Sequence, residues 1–186
     1  MAKARPIPGL SEDDPYALAG ARIIAVRSRE LADQAAGVLD VSDIERVHDM
    51  RVATRRLRAA LEVFEPCFPA KRVRAALREV KELADALGER RDRDVTIAAL
   101  EDFAAAMGRA DRTGIESLVG RLREEQAEAN RALGPYVTEK RLAALGERLA
   151  DLVGDAKIGA SVEDDSPPGA ELAAARSATN GASEGQ

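Results

Sequence analysis

The chain contains no tryptophan, a single cysteine and a single histidine, and aromatic residues make up only 3% of it. Each scarcity excludes something. Without aromatic platforms, a stacking surface for single-stranded nucleic acid is not expected. With Cys67 alone, no internal disulfide can form. With His48 alone and Cys67 on another segment, a His/Cys metal site has no ligand set, and no nucleophile stands ready for a triad. No apolar run reaches the roughly 18 residues of a membrane span, and Met1 to Pro15 lack the apolar stretch of a secretory signal. A reducing cytoplasm is the expected location.

Charge is plentiful. Asp, Glu, Lys and Arg make up 33% of 186 residues, and the net charge is −5. That length suits one domain with a core of its own. Alanine, leucine, arginine and glutamate dominate, which favours long helices and disfavours sheets. The charge is unevenly placed: from Arg46 to Arg93 there are 13 Lys+Arg against 8 Asp+Glu, so a basic segment sits inside an acidic protein. Overall acidity discourages indiscriminate binding to nucleic acid, while a local cationic surface can still attract a compact anion.

Residues 1–13, with Pro6, Pro8 and Gly9, read as a flexible arm. Apolar residues at helical spacing predict helix 1 from about Asp14 to Leu39. Ser42 is the expected N-cap of helix 2, with Glu45 completing a capping box. This helix runs to about Glu65, where Pro66 and Pro69 stop it. Helix 3 is expected over Ala70 to Leu87, ending at Gly88 as its C′ residue. Asp92 caps helix 4, which runs to Met107. Helix 5 spans about Thr113 to Leu133 before Gly134-Pro135, and helix 6 about Thr138 to Val153. The Pro-, Ala- and Ser-rich stretch 155–186 is expected to be a disordered tail, with at most a marginal helix at Glu171–Arg176. The fold class is all-α, an up-and-down bundle of long antiparallel helices over 14–154.

The basic segment contains two amphipathic helices. With His48 as origin and 100° per residue, Arg51, Arg55 and Arg58 fall at about −60°, −20° and −80°, and Arg56 on the flank at about +80°. Met50, Ala53, Leu57, Ala60, Leu61 and Phe64 lie opposite. In helix 3, Lys71, Arg74, Arg78 and Lys81 share one sector of roughly 80°, opposite Val73, Leu77, Val80, Ala84 and Leu87. Such faces are often merely solvated and paired with acids at i+4, and Glu62 and Glu82 stand four residues after Arg58 and Arg78. Yet Arg51 to Arg58 contains four arginines and no acid. The planar fork of arginine suits bidentate contact with phosphate oxygens. His48 reads as a titrating donor beside those arginines. Asp92 and Asp94 read as a helix cap and its partner rather than as metal ligands. Magnesium would arrive on the phosphate oxygens.

The pattern His48, Arg51, Val52, Arg55, Arg56, Leu57, Arg58, followed by Leu87, Gly88, Arg91, Asp92, Asp94, Val95, resembles the CHAD family, the conserved histidine α-helical domain. The resemblance covers about Tyr16 to Val153. It implies an all-helical domain that binds inorganic polyphosphate in a basic pore or groove, often at polyphosphate granules or beside CYTH-type domains. Carried over, His48, Arg51, Arg55, Arg56 and Arg58 would be ligands from helix 2, and Lys71, Arg74, Arg78 and Lys81 would be ligands from helix 3. Arg91 is included with them and, with Asp92, would organise the junction of helices 3 and 4. Members usually carry two related bundles, each with its own His-and-Arg helix. This chain has one histidine and resembles a single repeat, so a homodimer rebuilding the shared surface is expected.

Three functions follow as alternatives. The first is non-catalytic polyphosphate binding, with no cofactor, resident metal or catalytic residue, and with nucleic acid not the specific ligand. The second is a metal-dependent enzyme acting on phosphoanhydrides, for which Asp92 and Asp94 would be the acids. The third is a helical protein-interaction module.

Overall fold

A computed structural model describes residues 3–108 and 111–163. Five helices carry the fold: α1 (Tyr16–Asp33), α2 (Ile44–Val63), α3 (Ala70–Ala105), α4 (Arg112–Leu133) and α5 (Glu139–Glu163). Two 3-10 turns, Glu65–Cys67 and Gly134–Tyr136, each contain a proline and redirect the chain after α2 and α4. The described residues contain no strand. The class is all-α, with α1 packed on α2 and α5, and α3 packed on α2, α4 and α5.

The core follows the apolar stripes. Ile24 and Leu31 of α1, Met50, Leu57 and Leu61 of α2, Val73, Val80 and Leu87 of α3, and Leu145, Leu149 and Leu152 of α5 are all buried. At 36 residues, α3 is much the longest helix, and it packs along α4 as well as α2 and α5. Near the start of α1, Gly20 lies beneath the Phe64 ring, where a Cβ would come within 2.6 Å of ring carbon.

Several boundaries differ from the sequence expectation. Helix α1 stops at Asp33 rather than Leu39. Gly37 adopts φ 72° in the connection that follows, and Val38 turns inward while Leu39 is left exposed. A left-handed residue here reverses the chain, which a continuing helix could not do. Asp43, not Ser42, caps α2 through Glu45 N–H at 3.3 Å, and the Ser42 hydroxyl instead donates to Asp40 at 2.7 Å. The expected helices 3 and 4 are one helix. Gly88 is an interior position, and Asp92 caps nothing: it is exposed in mid-helix, its carbonyl accepting the Thr96 hydroxyl at 2.7 Å. Interior glycine costs about 1 kcal/mol relative to alanine, but the buried stripe Leu83, Leu87, Arg90, Asp94 and Ile97 continues at helical spacing through it. Helix α5 likewise runs past Gly154 to Glu163. The tail from 164 onward, with the short helix expected at Glu171–Arg176, lies outside the described residues.

Gly88→Ala is therefore expected to stabilise the protein, by about 0.5–1 kcal/mol. Its new Cβ would stand 4.0 Å from Arg51 Nε, an ordinary contact. A rise in the denaturant midpoint checks this; a fall would mean that Gly88 is needed as glycine.

The N-terminal arm lies along α1. The Arg5 backbone N–H donates to the buried Glu30 carboxylate, and Arg5 pairs with Asp33 at 2.5 Å. Burial alone would raise the Glu30 pKa. The Arg5 backbone bond, the Arg27 hydrogen bond and charge, and the charge of Arg56 outweigh it, so the group sits below its ordinary value of 4.5. A depressed carboxylate contributes stability above its unfolded pKa and loses it as the pH falls through the folded value. Glu30→Gln should cost about 1–3 kcal/mol near pH 7. Its stability and that of the unmodified protein should converge as the pH drops below about 4.5, which denaturant titrations at stepped pH would measure.

Candidate anion-binding seam

Helices α2 and α3 run antiparallel, and contacts at both ends fix their register. At one end Arg91 of α3 donates to the Ile44 carbonyl at 2.9 Å and meets Glu45 at 3.4 Å. At the other, Arg74 of α3 pairs with Glu65, just beyond α2, at 3.3 Å. Between them Arg51 lies against α3 at Gly88. Arg55 and Arg58 follow Arg51 at four and seven residues, so they continue the same edge of α2. Arg74, Arg78 and Lys81 repeat that spacing on α3, and Lys81 stands seven residues before Gly88. The spacing thus gives each of these two neighbouring helices a cationic stripe.

Their ion pairing is uneven. Arg58 is engaged by Glu62 at 2.7 Å and Arg74 by Glu65. Glu82, which the i+4 spacing offered to Arg78, reaches instead to Arg141 of α5 at 2.9 Å. Among the described residues Arg51, Arg55, Lys71, Arg78 and Lys81 have no ion pair, and all five are exposed. Like charges four residues apart repel by a few tenths of a kcal/mol, and Arg51 and Arg55 stand four apart with no acid of their own.

The structure does not bring all ten predicted ligands together. Arg56 lies on the opposite edge of α2, where its charge acts on Glu30 of α1. Lys71 continues the α3 stripe by spacing but lies beyond the end of α2, in a cleft between α3 and α5 with Arg72, Ala75, Arg148 and Asp151. Arg91 is already committed to the first turn of α2. His48 sits half-buried beside Glu45 and Asp49, and the ligand atoms of these three side chains lie within 4.8 Å of one another. Among the described residues this is the one grouping of three that could share a cation. Its imidazole and carboxylates would suit a divalent metal.

Sequence reasoning missed Arg90 and misread Asp94. Both are fully buried and paired with each other, and Asp94 also accepts from Gln126 of α4 at 2.6 Å. The i, i+4 spacing offered the pairing. Nothing marked its burial, because arginine and aspartate are rarely inside.

No curated protein matches the chain. A family model described as the CHAD domain matches residues 22–184, spanning both the His48–Arg58 helix and the Leu87–Val95 segment. That match covers most of the 186 residues, and the chain belongs to the CHAD family.

Proposed function

We propose that the protein binds inorganic polyphosphate along the α2–α3 seam and performs no chemistry on it. The observation that carries this reading is the group of unpaired, exposed cations, Arg51, Arg55, Arg78 and Lys81, on two adjacent helices of an acidic protein. A linear polyanion laid along the seam would supply the missing counter-charge at several points at once, so affinity would grow with chain length and fall with salt. His48 would add a donor at the edge of the α2 stripe. The phosphoanhydride-cleaving alternative draws less support, since Asp94 is held by Arg90 and Gln126 and Asp92 stands exposed without it.

A homodimer that turns the seams of two copies toward a common groove extends this reading. Sedimentation with and without polyphosphate tests it, and a monomer under both conditions would discard it. No described helix is long and apolar enough to cross a membrane. A cytoplasmic location at polyphosphate granules belongs to the same proposal.

The deciding experiment compares long-chain polyphosphate, ATP and duplex DNA as ligands at near-physiological salt. Retention of polyphosphate with weak ATP and DNA binding is the expected result. Equal affinity for DNA would reduce the seam to a generic cation patch.

A further inference from the structure

Arg90 is shut off from solvent completely, yet only part of its guanidinium is satisfied. Its Nη1 donates to Asp94, while Nε and Nη2, both buried, have no hydrogen-bond partner among the described residues. Those two N–H groups lie on the same edge of the guanidinium plane and point the same way. Buried donors left empty are costly and rare in folded proteins. A third buried atom on the neighbouring helix shares their condition, the Asn130 side-chain oxygen.

The register of α3 and α4 puts Arg90 and Asn130 at one level of the interface. Gln126 of α4 meets Asp94 of α3, and the pairs Arg93–Glu125 (3.6 Å) and Glu101–Arg123 (2.5 Å) show the two helices running antiparallel. Arg90 is one turn before Asp94, and Asn130 is one turn after Gln126. They therefore occupy the same level of the interface. Asn130 Nδ2 donates to the Leu39 carbonyl at 2.9 Å, which fixes the orientation of the amide and leaves its oxygen as the free acceptor.

We infer that a single water molecule is bound at this level, accepting from Arg90 Nε and Nη2 and donating to Asn130 Oδ1. The ligand must accept from two donors and donate to one acceptor, and water does both. An anion could take the two Arg90 donors but would face the lone pairs of Asn130, and that amide cannot flip without abandoning Leu39. A cation would meet the Arg90 charge. The contrast with Arg27 and Glu30 is instructive. Arg27 Nη1 and Glu30 Oε2 are buried as well, but they face each other as an ion pair at 2.6 Å and need no third party.

The bound water joins three parts of the chain: α3 through Arg90, α4 through Asn130, and the α1–α2 connection through Leu39. The next residue, Arg91, holds the first turn of α2. The hydrated cluster thus steadies the end of the seam at which Arg51 lies. This inference stands on packing alone and does not depend on the ligand proposed above.

The test uses the full-length protein labelled with 15N and 13C. The Arg90 Nε–H resonance, assigned through its own side-chain carbons, should be protected from exchange and show a cross-peak to a long-lived water. A crystal structure near 1.5 Å resolution should place one ordered peak within about 3.2 Å of Arg90 Nε, Arg90 Nη2 and Asn130 Oδ1. A protected Arg90 Nε–H with no water cross-peak would overturn the inference. So would a crystal structure in which Arg90 bonds directly to Asn130, or one with an anion at that position.

Discussion

Reversing two charges, Arg51→Glu together with Arg55→Glu, is expected to weaken binding of long-chain polyphosphate by about 10²–10⁴-fold, taking roughly 1.5–3 kcal/mol for each hydrogen bond to a charged group. Both side chains are exposed and have no ion pair among the described residues, so the fold should be nearly indifferent, within about 0.5 kcal/mol. Lys71→Glu, compared per charge reversed, is the control. It also reverses an unpaired, exposed cation, but one that shares the α3 stripe only beyond the end of α2, in the cleft toward α5. A modest loss from Lys71→Glu and a large one from the double variant would locate the ligand. Losses that simply track net charge would mean that position along the helices does not matter.

The second large effect is on stability. Asp94→Ala would leave the Arg90 charge buried without compensation and remove the acceptor of Gln126, and should cost about 3–5 kcal/mol. Guanidinium or urea unfolding followed by circular dichroism measures it. The double change Arg90→Met with Asp94→Leu should recover much of that loss, because a buried ion pair replaced by apolar groups of similar size is often neutral or better. If Asp94→Ala alone were harmless, the pair would not be holding α3 against α4.

The fold class and the cationic stripes were legible in the sequence because both rest on one period. Apolar residues at helical spacing gave the inward faces of α2 and α3. The same arithmetic placed Arg51, Arg55 and Arg58 on one edge and Arg56 on the flank. What could not be read was which neighbour each edge would meet. Arg56 finds α1, and Lys71 finds the α5 side, because those depend on how five helices pack rather than on any one of them. Boundaries failed for a related reason. Gly88 and Gly154 permit a helix to end but do not require it, and at Gly88 a buried stripe on both sides favours continuation. Gly37, by contrast, does break the chain, where a left-handed turn is needed for Val38 to reach the core. The three glycines look alike until burial is known.

The unbroken length of α3 has a consequence for how the molecule can transmit a signal. Gly88, where Arg51 rests, and the exposed Phe103 lie on the same rod with no hinge between them, roughly 22 Å apart at 1.5 Å per residue. With no break in the helix between them, a displacement at one station reaches the other chiefly as tilt or rotation. If the proposed ligand sits beside Gly88, its effect on the far tip would come mainly through movement of the whole lever.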